Sequence, residues 1–233
     1  MKGIGYPPEM MPQLIKQAVL RYILALLLVS LLLFLPAGSL KFWNAWMFIG
    51  ALFLPALFAL IYLFKTDPDL LQNRLKTKEK EKIQRIFNIL YMIAFIMTLI
   101  ITGLDFSYHW SVVPVWLVIV AAGIMICSYF MIVLVMKQNR YASRVVEIQI
   151  GQKVIDDGLY SVVRHPMYLF ASIFFLSIPL VLGSLYALIL PAIIVPFLLI
   201  IRITNEEKVL KNNLDGYEKY MKKVKYRLLP FIW

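Results

Sequence analysis

The sequence predicts an all-α polytopic membrane protein with about six transmembrane helices, the last two paired as a C-terminal helical hairpin. Three observations carry that prediction. Of the 233 residues, 61% are hydrophobic and 16% charged, and the mean hydropathy is +0.78; a soluble domain averages about 45–50% apolar and about 25% charged residues. Apolar runs of the roughly 20 residues needed to cross a bilayer recur along the chain. The charge is also segregated: with six crossings, 23 of the 24 Lys and Arg residues fall on one side and Lys41 alone on the other. That asymmetry marks the basic side as cytoplasmic. The formal charge of +11 therefore reports topology and attraction to anionic headgroups, and no nucleic-acid partner is expected.

The spans are expected near 17–35, 42–64, 87–103 and 112–136, with the hairpin arms near 167–183 and 185–203. The first run lacks a small-residue cleavage site and reads as a retained helix, not a removed signal. Between spans one and two, and between three and four, short turns carry Phe42, Trp43, Trp46, Tyr108, Trp110 and Trp116, aromatic residues suited to an interfacial belt. Asp67-Pro68-Asp69 reads as a helix start, with Pro in the first turn and acids matching the dipole. Its basic continuation through Arg74, Lys76, Lys78, Lys80 and Lys82 is expected on the membrane surface. Residues 145–150 alternate weakly in polarity and are followed by turn signals at Gly151 and Asp156-Asp157-Gly158. The turn at Gly183-Ser184 is so short that the last two apolar runs must be antiparallel, either as two full spans or as a tighter re-entrant pair. Pro191 and Pro196 should kink the second arm. Asp215, with Glu218 three residues on, reads as the N-cap of a short basic helix. The organisation is thus N-terminal transmembrane helices over 1–136 and a core of connector, hairpin and C-terminal segment over 137–233.

Chemistry concentrates at Arg164-His165-Pro166-Met167-Tyr168. Pro166 suits the first turn of a helix entering the membrane, which puts Arg164 and His165 in the headgroup layer and Tyr168 one turn deeper. If the arms turn near residue 184, Tyr168 stands level with 200–202, and Glu206 and Glu207 stand level with Arg164 and His165. Polar groups are expensive near hydrocarbon, so their convergence marks a functional site. Glu206 and Glu207 are acceptors for a cation or a ribose, Tyr160 and Tyr168 offer rings, and Arg164 or Arg202 could grip a carboxylate. Glu207 taken alone reads as a solvated residue. Cys127 is the single cysteine and sits in an apolar run, and no His/Cys grouping has metal-ligand spacing, so no metal is expected. There is no glycine-rich nucleotide loop and no serine nucleophile motif.

Gly158-Leu159-Tyr160 through Tyr168, then Glu206-Glu207-Lys208-Val209-Leu210, Gly216-Tyr217-Glu218-Lys219-Tyr220 and Arg227-Leu228-Leu229-Pro230-Phe231-Ile232, resemble the isoprenylcysteine carboxyl methyltransferase family, which is related to the membrane phospholipid methyltransferases. The likeness covers residues 139–233, and several motifs recur in order. The resemblance implies S-adenosylmethionine as methyl donor, held in a cytoplasmic cofactor pocket closed by the C-terminal segment. It assigns cofactor contacts to Gln152, Lys153, Val154, Ile155, Tyr160, His165, Pro166, Met167, Tyr168 and Glu206, and orientation of the substrate carboxylate to Arg202. Two positions depart from the family pattern. Gln152 stands where the family usually has His, and Phe170 where it usually has Gly; a bulky Phe170 is expected to narrow helix approach or the lipid entrance.

Methyl transfer from a sulfonium is a direct displacement that needs alignment more than proton transfer. A carboxylate acceptor needs no base, whereas an amine would have to lose a proton, for which Glu207 or His165 would be the candidates. The expected activity is an integral membrane methyltransferase acting on a lipophilic or prenylated acceptor, most simply a carboxylate. The alternatives are an amine or phospholipid N-methyltransferase, an NADPH-dependent membrane reductase of related architecture, and a non-catalytic scaffold. The lipid bilayer is the expected partner. With no retention or transit signal, a plasma membrane is the preferred host.

Overall fold

A computed structural model describes residue 9 and residues 11–75, 82–139, 141 and 151–233. Among the described residues eight α-helices follow in order: α1 (Met11–Ala37), α2 (Trp43–Thr66), α3 (Pro68–Leu75), α4 (Lys82–Tyr108), α5 (Val115–Gln138), α6 (Pro166–Val181), α7 (Tyr186–Asn213) and α8 (Tyr217–Lys223), with a 3-10 turn at Gly158–Ser161 before α6. Among the described residues there is no strand. The weakly alternating segment 145–150 lies outside them, as do Lys76, Lys78 and Lys80 and the side chains of Arg74 and Lys82.

Five helices, α1, α2, α4, α5 and α7, are long and apolar enough to cross a membrane. Their outer faces expose Leu27, Leu31, Phe58, Ile119, Ile193 and Phe197, as expected of surfaces that meet lipid tails. The protein is therefore a polytopic helical membrane protein. The hairpin is asymmetric. Its first arm, α6, has 16 residues, about 24 Å at 1.5 Å per residue against a hydrocarbon core of about 30 Å. Its second arm, α7, has 28 residues and carries its helix past the apolar run through Glu206 and Glu207. The sequence-based end of this span at 203 is thus too early. Pro191 and Pro196 both lie inside α7, which continues through them.

Packing is most extensive between α5 and α6, α4 and α7, and α1 and α4. The core runs through Leu33, Phe42, Phe48, Leu99, Met125, Ile178 and Ile203, all buried. Gly103 lets α1 and α4 touch: a Cβ there would sit 2.7 Å from the Leu33 carbonyl oxygen, closer than any side chain permits. At the turn end of the hairpin, the buried Asp105 accepts from the Ser111 backbone N–H at 2.7 Å and the Ser111 hydroxyl at 2.6 Å. It also accepts from the Ser184 hydroxyl. Asn44 donates to the Val181 carbonyl at 3.2 Å. These bonds pin the hairpin turn to α2 and to the α4–α5 turn, and so fix the register of α6 against α7.

At the other end, Asp67 caps α3 by accepting the Leu70 N–H at 3.2 Å, as its sequence context predicts. Leu70 and Leu71 then pack on Leu14 and Leu63. The α8 start differs from expectation. Gly216, at φ 84°, occupies the N-cap position without a side-chain bond, a left-handed conformation that favours glycine. Asp215 does not cap the helix, although Glu218 does fall in its first turn.

Candidate active site at the open end of the hairpin

Pro166 is the first residue of α6 and His165 its N-cap, so the chain turns sharply where Arg164 and His165 enter. Their backbone N–H groups donate to the Tyr226 and Arg227 carbonyls, each at 2.9 Å, which lays the C-terminal segment beside the mouth of the helix. One turn into α6, Tyr168 faces α7. Its hydroxyl donates to Glu206 Oε2 at 2.5 Å and accepts from Arg202 Nε at 2.7 Å. Arg202 is 4% exposed, and its guanidinium lies 4.8 Å from the centre of the Phe87 ring on α4, a cation–π arrangement. The rings of His165 and Tyr168 stack with centroids 5.7 Å apart.

Glu207 is the hub of a second group. It accepts from Arg164 Nε at 2.6 Å and from Arg227 Nε at 2.9 Å, and its Oε1 stands 3.2 Å from His165 Nε2. The Arg164 guanidinium also donates to the carbonyls of Val224 at 2.7 Å and Lys225 at 3.0 Å. Glu207 is 4% exposed, so its reading as a solvated residue is wrong. An acid that looks surface-like on α7 is buried because two arginines distant in sequence and a histidine close around it. Arg164, weighed as a carboxylate grip, is likewise committed to Glu207 and to backbone carbonyls.

The connector approaches from the side. Gln138 at the end of α5 donates to the Asp157 carbonyl at 2.6 Å and accepts the Leu159 N–H at 3.2 Å. The buried Tyr160 accepts from Asn139 at 3.1 Å through its hydroxyl and from the Tyr220 hydroxyl at 2.7 Å through its carbonyl. Val154 packs on Leu214, Tyr217, Tyr220 and Val224. Lys153 is exposed, and Gln152 and Ile155 are half-buried beside it. The Lys223 ammonium, 2.7 Å away, holds the exposed Asp156 carboxyl below its usual range and ties the connector to α8. Burial pushes the Tyr217 and Tyr220 phenols up, so both remain protonated. The fold thus brings Tyr168, Arg202, Glu206 and His165 into one constellation, with Tyr160 and Val154 joined to it through α8.

A cavity of about 460 Å³ opens between α4, α6 and α7, and Tyr168, Arg202, Asn88 and Ser172 are among its polar lining residues. Met167, Ala171 and Phe175 line it from α6, Val195 and Leu199 from α7, and Phe87, Tyr91 and Phe95 from α4. Sequence reasoning missed the α4 wall, although three aromatic residues at four-residue spacing form one helix face. Phe170 lines a separate apolar groove with Gly123 and Cys127 and is not among the residues that line the Arg202 cavity. Two further polar atoms went unrecognised: among the described residues, Asn205 Nδ2 and Tyr217 Oη are buried without a hydrogen-bond partner.

No curated protein matches the chain. The model of the phospholipid methyltransferase family matches residues 116–215. That span runs from the start of α5 to just beyond the end of α7 and includes Tyr160, the His165–Tyr168 segment, Arg202, Glu206 and Glu207. With the apolar helices around the site, this match supports a membrane methyltransferase.

Proposed function

We propose that the chain uses S-adenosylmethionine to methylate a carboxylate on a single lipophilic acceptor, as isoprenylcysteine carboxyl methyltransferases do, with the site on the cytoplasmic face. The observation that carries this reading is Arg202, a buried cation that lines a largely apolar cavity. Arginine stays charged in such surroundings and presents a planar fork matched to carboxylate oxygens.

The residues fit the proposed cofactor. Glu206 is an anionic acceptor suited to an ammonium, and the His165 and Tyr168 rings offer π-faces to a sulfonium. Tyr160 and Val154 supply the buried flank. When bound, S-adenosylmethionine supplies an electrophilic methyl group on sulfur. The chain's own residues align the acceptor: Arg202 orients its carboxylate, Tyr168 fixes Arg202 through Nε, and the walls of α4, α6 and α7 hold its lipophilic tail and exclude water. A carboxylate oxygen already has the lone pair that forms the new bond, so no proton need be removed.

The second reading, an amine or phospholipid acceptor, is favoured by the description of the family that matches. It requires a base near the acceptor. Glu207 is engaged by Arg164 and Arg227 through both oxygens, and His165 stands against it, so neither is poised for that role. The deciding experiment incubates the purified protein with radiolabelled S-adenosylmethionine and a lipid extract, then identifies the product by mass. A base-labile methyl ester is expected. An N-methylated headgroup would favour the second reading, and binding of NADPH in place of S-adenosylhomocysteine would remove both.

A further inference from the structure

Buried polar groups are nearly always hydrogen-bonded, and one left unpaired carries the full cost of its desolvation. Two orphans beside one acidic pair therefore ask for a ligand. Asn205 lies on α7 three residues after Arg202, on the same helix face, and directly precedes Glu206 in the chain. Tyr217 is the first residue of α8 and is 4% exposed. It belongs to the buried cluster on which Val154 of the connector packs; burial first, and then the charges of Glu207, Glu206 and Arg164, act on its phenol. The hydroxyl thus belongs electrostatically to the Glu206–Glu207 cluster. Both orphans, Asn205 Nδ2 and Tyr217 Oη, can donate. Glu206 can only accept, and it receives Tyr168 on Oε2.

We infer that Tyr217 and Asn205 are further binding residues of this site. Together with Glu206 they recognise a zwitterionic amino-acid group, Glu206 taking its ammonium and the two donors its carboxylate. The inference rests on the methyl-donor reading above and names the part of the donor these residues hold. An anionic acceptor and two neutral donors are the complement that an ammonium and a carboxylate of one amino-acid group require. They offer much less to an adenine ring or a lipid tail.

The test is calorimetry on the full-length purified protein with two probes. S-adenosylhomocysteine carries the amino-acid end, and 5′-methylthioadenosine lacks it. Tyr217→Phe and Asn205→Ala are each expected to weaken S-adenosylhomocysteine by about tenfold or more, the loss of a hydrogen bond to a charged group. Binding of 5′-methylthioadenosine should stay within about twofold of wild type. Thermal unfolding of ligand-free Tyr217→Phe provides a second readout. A hydroxyl without a partner has no bond to lose, so the midpoint should be equal to or above that of wild type. Wild-type affinity for S-adenosylhomocysteine in Tyr217→Phe would overturn the inference. So would equal weakening of both probes, or a lowered midpoint with unchanged affinity. A wild-type protein that binds neither probe would instead remove the methyl-donor reading, and the inference with it.

Discussion

Arg164 and Glu207, 43 positions apart, meet at 2.6 Å with both side chains almost wholly buried. The pair joins the mouth of α6 to the end of α7, and through Arg164 it also holds the Val224 and Lys225 carbonyls. A buried ion pair is no guarantee of net stability, but removing one partner strands a charge in low dielectric. The geometry of Tyr168, Arg202 and Glu206 is built on this clamp, because Glu207 is the neighbour of Glu206 on α7 and Arg164 is one turn before Tyr168.

Glu207→Ala should therefore cost about 3–5 kcal/mol, the usual penalty for orphaning a buried partner. Arg227→Ala should cost less, since the Arg227 side chain is 33% exposed. The double variant Arg164→Met with Glu207→Leu should recover most of the loss by replacing the pair with apolar contacts. Chemical denaturation in detergent would check the order, and a double variant no better than Glu207→Ala would show that the clamp acts through the backbone carbonyls alone.

The hairpin turn is governed by Asp105 at the opposite end. Asp105→Asn weakens its bonds to Ser111 and Ser184, and leaving such buried groups poorly paired costs about 1–3 kcal/mol. Thermal unfolding should register that loss, while the KM for the methyl donor should hold, because no residue of the Tyr168–Arg202–Glu206 group contacts the turn among the described residues. A raised KM at constant stability would contradict this separation.

The long helices were legible because apolar runs and basic breaks alternate so regularly. The short turn at Gly183-Ser184 then set the hairpin register, which put Tyr168 level with Arg202 and both Glu206 and Glu207 level with Arg164 and His165; the hydrogen bonds bear this out for Arg202 and Glu207, whereas Glu206 bonds Tyr168 instead. What escaped depends on contacts remote in sequence. Nothing local distinguishes Glu207 from a solvated acid, since its burial is created by Arg164 and Arg227. The α7 helix outruns its apolar stretch because that same clamp provides polar partners beyond the lipid. Asp215 resembles a cap, but the left-handed Gly216 starts α8 instead. The Phe87, Tyr91 and Phe95 stripe was visible, yet a stripe on a membrane helix gives no sign of whether lipid or a cavity lies opposite.

The cavity makes a steric prediction. Ala171 lines it, and Ala171→Leu adds volume against the α4 wall. The KM for a lipophilic acceptor should rise by roughly tenfold, the order set by a few methylenes in an apolar pocket, with affinity for S-adenosylhomocysteine unchanged. Phe170→Ala, in the separate groove with Cys127, should leave that KM as it is. Acceptor titrations on the two variants would separate the cavities, and the reverse pattern would place the acceptor beside Phe170.

Arg202 gives the sharpest prediction, because its two surroundings make opposite demands. Its guanidinium is clamped by the Tyr168 hydroxyl and the Phe87 ring, so it is already oriented before an acceptor arrives. Arg202→Lys keeps the charge but loses the planar fork and the Nε–H that meets Tyr168. Misplacing a reacting group by about 1 Å costs on the order of 100-fold, and that is the loss expected in kcat/KM for carboxyl methylation. The Tyr168–Glu206 bond survives the substitution, so affinity for S-adenosylhomocysteine should stay within about threefold of wild type. Arg202→Ala should fall further in rate while still binding the cofactor. If both variants lose rate and cofactor affinity in the same proportion, Arg202 is a structural brace for Tyr168, and the carboxylate reading loses its support.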